Sequence, residues 1–386
     1  MGVHRRRRLE RSGVSVRRGS ASTPDPSNRP SRSGPQRKVT GSPRELCPAH
    51  RRSTRPTPSR VRLMPLLRKS RSDLQALIGA TARARNIDQT FIEKDFWVIE
   101  VLRAATTPID VLAKDGSRYP VRTIFKGGTS LSRAYELIER FSEDVDLLVS
   151  FPDVDSSTNA RDKVLKSIRD NVAEHLTLDS TRVVAGAATT GVKRNVRYLY
   201  PRFRYQGSSA ISEGVLLEMG CRGGTYPTQQ HALRSMVAEH AIDVLGENPA
   251  AWDEFAPVSV AVLAPERTLL EKLALLHDGA SRSPDEGADE TLRRAGRHLY
   301  DIYQLLQSDD VLAALNALGP SGVGELCNDI DEHSDSAGFS FTPRPHTGYC
   351  TSPLLDADSL CQTALSEGYR SAMSLVYGAQ PELSWI

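Results

Sequence analysis

The chain has 386 residues, 39% hydrophobic and 25% charged, and no apolar run approaches the ~20 residues needed to cross a bilayer. That excludes a helical membrane protein and leaves room for two domains with substantial cores; a soluble, cytoplasmic protein is expected. The five cysteines are odd in number and show no Cys-x-x-Cys spacing, which argues against a disulfide framework or a thiolate metal site, and no apolar segment follows the opening arginines as a secretory signal requires.

The net charge of +3 hides a split. Residues 1–63 hold 17 Lys+Arg against 3 Asp+Glu and 8 of the 23 prolines, whereas residues 64–386 hold 33 against 44, a net −11. The first segment has too few apolar residues to offset its ordering entropy and is expected to be disordered. It reads either as a basic arm for nucleic acid or as sequence translated ahead of a true start at Met64. The second reading is favoured, because no methionine separates Met1 from Met64 and the globular pattern begins directly afterwards at Leu66 and Leu67.

A helical lead follows over about 70–105, with Ile92, Phe96, Ile99, Val101 and Leu102 as its apolar stripe and Trp97 in the core. Lys94 and Asp95 either orient a functional loop or cap the surface. An α/β core with a mixed sheet is expected over about 106–260. Its most informative stretch runs from Phe125 to Val149. Ile124 and Phe125 end an apolar run, Gly127 and Gly128 permit a tight turn, and Leu131, Ala134, Tyr135 and Ile138 continue at helical spacing toward a stop near Arg140 and Phe141. Backbone N–H groups of such a turn, with the hydroxyls of Thr129 and Ser130, suit the oxygens of a triphosphate. Val145, Leu147 and Val149 then alternate with Asp144, Asp146 and Leu148, so the two aspartates share one strand face and Glu143 takes the other. Paired carboxylates beside a phosphate turn suit Mg²⁺ or Mn²⁺ and phosphoryl transfer.

Further on, Lys193 to Tyr205 interleaves cations with aromatics, and Arg202 and Arg204 are expected on one strand face. This is either a phosphate-contacting and base-stacking surface or an amphipathic strand with a solvated cationic side. Pro265 opens a helix carrying Leu269, Leu270, Leu273 and Leu276, with Lys272 inside it. Arg297 and Asp301 lie at i,i+4 on the next helix, whose stripe is Leu299, Ile302, Leu305 and Leu306. His298 has no His or Cys neighbours and reads as structural. Loops are expected over 281–289 and 331–349.

The Gly-Gly-Thr-Ser turn with Asp144-Val145-Asp146 resembles the first motif of the polymerase-β-like nucleotidyltransferase superfamily. Together with Ile92-Glu93-Lys94-Asp95-Phe96-Trp97, Glu271-Lys272 and Arg297-His298-Leu299-Tyr300-Asp301, it is similar to the AbiEii/MenT family of toxin nucleotidyltransferases over about residues 70–375. The resemblance implies an α/β (α+β) fold: a polymerase-β-like nucleotidyltransferase core over 64–262 and a mainly helical C-terminal domain over 263–386. It further implies a third metal-binding carboxylate on a neighbouring strand, for which Glu218 in Val215–Met219 is the candidate ahead of Glu213. Lys272 would contact nucleotide phosphates, and Lys126, Arg297 and Asp301 would support the site. The implied activity moves a nucleoside monophosphate from an NTP to an acceptor hydroxyl, with tRNA 3′ ends as the acceptor and a winged-helix antitoxin as partner. Alternatives are a small-molecule acceptor such as an aminoglycoside, a protein hydroxyl, or a non-catalytic nucleotide sensor.

Overall fold

The computed structural model describes residues 64–142, 144–203, 212–336 and 341–385. The basic segment 1–63, Glu143, Arg204 and Tyr205 lie outside the described residues. Two helices come first, α1 (Arg71–Arg85) and α2 (Gln89–Ala105). Asp88 caps α2 by accepting from the Thr90 N–H at 2.7 Å. Its apolar stripe is buried, with Trp97 stacked on Tyr200 at 5.1 Å between ring centroids.

Glu93, Lys94 and Asp95 of α2 are buried as well, and each is pinned to a different segment. Glu93 accepts from the Phe203 N–H at 3.0 Å and Lys94 donates to the Ser212 carbonyl at 2.9 Å. Asp95 accepts from the Met236 N–H at 2.6 Å and pairs with Arg133 at 2.8 Å. Lys94 and Asp95 are therefore interior anchors rather than a surface cap.

The sheet is built from β1 (Ile109–Leu112), β2 (Arg118–Lys126), β3 (Asp144–Ser150), β4 (Val183–Thr189), β5 (Lys193–Tyr198), β6 (Val215–Gly220), β7 (Thr228–Leu233) and β8 (Val258–Leu263). Its order is β4-β5-β6-β3-β2-β8-β7, with β1 added to β2. The β3–β6 and β2–β8 pairs are parallel and the rest antiparallel, which makes the sheet mixed. Period-two alternation sends Val145, Leu147 and Val149 of β3 and Val215, Leu217 and Met219 of β6 into one core with α2 and α4 (Thr158–His175). The opposite face keeps Asp144, Asp146, Leu216 and Glu218 only partly covered.

Between β2 and β3 lies α3 (Gly127–Arg133). It is shorter than its spacing predicts, because Glu136 takes a left-handed φ of 55° and Arg140 is drawn into a bridge with Val376. A short α5 (Met236–Glu239) precedes β8. The remainder is helical: α6 (Pro265–Arg282), α7 (Glu286–Ala295), α8 (Arg297–Gln307), α9 (Asp309–Ser336, kinked at Gly319 and Pro320) and α10 (Cys361–Ala372). Leu269, Leu276, Leu299, Tyr300 and Leu365 form a second core that takes in Leu131 and Ile138 from the segment after the turn.

The loops expected over 281–289 and 331–349 are both shorter. Asp285 caps α7, leaving only three residues between it and α6. Helix α9 runs on to Ser336, with residues 337–340 outside the described part. No helix among the described residues is long and apolar enough to cross a membrane.

Replacing Asp95 removes one acceptor of the Arg133 guanidinium, which keeps Glu239 at 2.8 Å, together with the acceptor of the buried Met236 N–H. Asp95→Ala is expected to cost about 3–5 kcal/mol in urea unfolding; a loss under 1 kcal/mol would show that Arg133 and Met236 find other partners.

Candidate active site

Strand β2 ends at Lys126, and the backbone turns at Gly127 with φ 80°. A Cβ on Gly127 would lie 2.1 Å from Asp146 Oδ2, and one on Gly128 2.5 Å from Arg140 Nη2. The glycine pair thus lets the backbone close on a carboxylate and a guanidinium at once. Thr129 and Ser130 are buried, and their hydroxyls donate to the carbonyls of Asp144 and Gly127. They brace the turn against β3, in contrast to the expectation that both stand open to phosphate.

Strand register sets the rest of the row. Lys126 pairs with Asp146, Asp146 with Glu218, and Glu218 with Asn195. Partners on neighbouring strands keep their Cβ atoms about 5 Å apart on one face, so four polar side chains cross β2, β3, β6 and β5 side by side. Asp144 shares the face with Asp146, two residues away. Burial pushes the Asp146 carboxyl above its ordinary value, Lys126 opposes that shift, Glu218 adds to it, and Arg297 and Lys272 lower it from further off. Among the described residues, Asp146 accepts neither a hydrogen bond nor an ion pair, whereas Glu218 Oε1 accepts from Asn195 Nδ2. The Asn195 Oδ1 oxygen is buried and has no hydrogen-bond partner among the described residues.

A third group lies behind the turn. Asp301 is fully buried and takes Arg140 through two bonds, at 2.6 and 2.7 Å, and Lys272 at 2.8 Å. Burial alone would raise the Asp301 carboxyl; Arg140 first, then Lys272, hold it well below its usual range. Burial lowers Lys272, against the pull of Asp301. His298 Nδ1 lies 2.9 Å from the Lys272 ammonium, and burial followed by that cation brings its pKa down to about 4. Despite their i,i+4 spacing, Arg297 and Asp301 do not pair among the described residues; Asp301 takes Arg140 and Lys272 instead.

Register thus sets Lys126, Asp146 and Glu218 in one row with Asp144 on the same face, and the charges of Lys272 and Arg297 reach Asp146. Among the described residues no group of three or more His, Cys, Asp or Glu side chains is gathered closely enough to hold a metal. The donors nevertheless fit a hard divalent cation in kind. They are carboxylates on one face, one of them partly buried without a donor, beside an unpartnered amide oxygen. Of the two readings of the Lys193 to Tyr205 stretch, the amphipathic strand fits the described residues, because Tyr198, Tyr200 and Phe203 are buried and Arg202 lies beyond the end of β5. A cavity of about 750 Å³ lined by Asp110, Lys114, Arg118 and Lys163 shares none of the site residues.

A profile of the family described as "Nucleotidyl transferase AbiEii toxin, Type IV TA system" matches residues 111–343. The chain belongs to this family. Among solved structures, the MenT4 nucleotidyltransferase toxin of Mycobacterium tuberculosis matches at 16% identity with a TM-score of 0.33, over 81% of this chain and 92% of that one. No curated protein matches.

In this AbiEii-family nucleotidyltransferase, four residues beside the expected ones escape a reading of spacing. Arg140 finds its partner 161 residues away, and Asn195 lies in the site only through strand register. His298 reads as structural from sequence, yet it contacts the Lys272 ammonium. Arg267 is buried next to Glu271; its one sequence signal is a cation on the apolar side of an amphipathic helix.

Two outcomes follow from this geometry. Gly127→Ala should lower pyrophosphate release by about 100-fold or more through displacement of Asp146. Gly116→Ala, at a similar φ of 87° but with nothing within 4 Å of the new Cβ, should leave the rate intact; a wild-type rate for Gly127→Ala contradicts the close approach. For His298, the folded value of about 4 lies below the ordinary 6.5. The unfolded chain therefore takes the proton first, and stability is lost as pH falls from about 6.5 toward 4, on the order of 3 kcal/mol. Urea unfolding at pH 7 and 4.5 should show a smaller loss for His298→Gln than for wild type, and equal losses contradict it.

Proposed function

We propose that this chain is a divalent-metal-dependent nucleotidyltransferase that moves a nucleoside monophosphate from an NTP to an acceptor hydroxyl and releases pyrophosphate. The observation that carries this reading is Asp146, a partly buried carboxylate without a donor among the described residues, in register with Glu218 and facing the Gly127–Gly128 turn. Asp144, Asp146 and Glu218 would hold Mg²⁺ or Mn²⁺, whose charge steadies the triphosphate. Gly127, Gly128, Thr129 and Ser130 form the turn that the triphosphate approaches. Lys272, Lys126 and Arg297 supply positive charge on the same side, and Asp301 orients Lys272. The catalytic core would lie in residues 64–262, with residues 263–386 adding Lys272 and Arg297.

A tRNA 3′ end is the proposed acceptor, and a winged-helix antitoxin the proposed partner. Support for a polyanionic acceptor comes from Arg297, which acts on Asp146 and lines a groove with Arg293 and Arg294, themselves paired with Glu367 and Glu290. The net −11 of residues 64–386 favours a second reading, a small cationic acceptor.

Incubation with labelled NTPs, Mg²⁺ and total tRNA should label the tRNA, and Asp146→Ala should reduce the label by at least about 1,000-fold. Label on an aminoglycoside and none on tRNA selects the second reading. Equal labelling by Asp146→Ala and wild type contradicts both.

A further inference from the structure

Lys126 and Asp146 are direct partners on antiparallel strands, so their side chains emerge on one face about 5 Å apart. A flexible ammonium in that position has an obvious counter-ion in the partly buried aspartate. It goes elsewhere: Lys126 Nζ lies 3.2 Å from Glu271 Oε2 on α6. Glu271 is itself clamped, since its Oε1 is 3.2 Å from Arg267 Nε one turn earlier. Arg267 is buried and fixed at both ends, donating to the Tyr226 carbonyl at 2.9 Å and pairing with Asp329 of α9 at 2.5 Å. Gly224 makes room for it, because a Cβ there would lie 1.7 Å from Arg267 Nη2. A rigid series of ion pairs thus runs from α9 through α6 to the last residue of β2.

We propose that Glu271 is a positioning residue that holds the Lys126 ammonium off the Asp146 carboxylate, keeping that acid open to a divalent cation and presenting Lys126 to the triphosphate. This rests on the site reading given above. Burial by itself would raise the Glu271 carboxyl, and Lys126 followed by Arg267 brings it below its ordinary value, so the residue is an anion at neutral pH. Without that anion, the nearest carboxylate on the face of Lys126 is Asp146, and the ammonium then competes with the metal for it.

The test is a double-mutant cycle on the full chain, read as Mn²⁺ affinity by electron paramagnetic resonance in the absence of nucleotide. Glu271→Gln should weaken Mn²⁺ binding about tenfold in the Lys126 background and leave it unchanged in the Lys126→Met background. Lys126→Met alone should bind Mn²⁺ as well as wild type or more tightly, while raising KM for NTP. An equal loss from Glu271→Gln in both backgrounds means that only the field of Glu271 matters, and overturns the positioning role. So does weaker Mn²⁺ binding by Lys126→Met, a result that needs no folded Glu271 variant. Asp146→Asn separates the two levels: if it binds Mn²⁺ like wild type, the site reading itself fails and takes this role with it.

Discussion

The fully buried carboxylate of Asp301 is the constraint on which the site depends. A lone carboxylate in that position would be costly, and two cations from different parts of the chain compensate it. Arg140 arrives from the irregular segment after α3, and Lys272 from α6. Their convergence ties the helical half to the turn that leaves β2, so that neither part can shift without exposing an uncompensated buried charge. Helix α3 stops at Arg133 rather than near Arg140 because Glu136 turns left-handed and the Arg140 backbone bridges to Val376, and from that bridge Arg140 reaches Asp301.

On the sheet side, the governing quantity is register. Lys126, Asp146, Glu218 and Asn195 stand in one row because β2, β3, β6 and β5 pair at those residues. A slip of one residue in any of these pairs would turn a carboxylate into the core. The hydrophobic alternation of β3 and β6 resists such a slip, since Val145, Leu147, Leu217 and Met219 would have to leave the interior. The chemistry of the open face is thus held in place by the apolar face behind it, and the two glycines allow the turn to reach Asp146.

Much of this was legible in the sequence, and the part that was not has a common cause. Period two placed Asp144 and Asp146 on one face, helical spacing placed Lys272 on α6, and the order of motifs led to the AbiEii family that the comparison found. Each of these signals is local. Arg140 with Asp301, Asn195 with Glu218, and Arg267 with Asp329 are contacts between distant segments, and no short-range pattern encodes them. Lys193 to Tyr205 left two readings open, since its aromatic and cationic composition suits nucleic acid and an amphipathic strand alike. The rings of Tyr198, Tyr200 and Phe203 are spent on the core, and composition does not say which face of a strand is covered. The hydroxyls of Thr129 and Ser130 misled, being taken up by backbone carbonyls.

On the proposed reading, Asp144, Asp146 and Glu218 would hold a divalent cation opposite the glycine turn. Anomalous diffraction from crystals grown with Mn²⁺ and a non-hydrolysable NTP analogue tests it most directly. A Mn²⁺ peak is expected at coordination distance, about 2.1 Å, from an Asp146 carboxylate oxygen, with the analogue's phosphates at Gly127 and Gly128. A peak away from Asp144, Asp146 and Glu218, with nucleotide bound elsewhere on the fold, would contradict it.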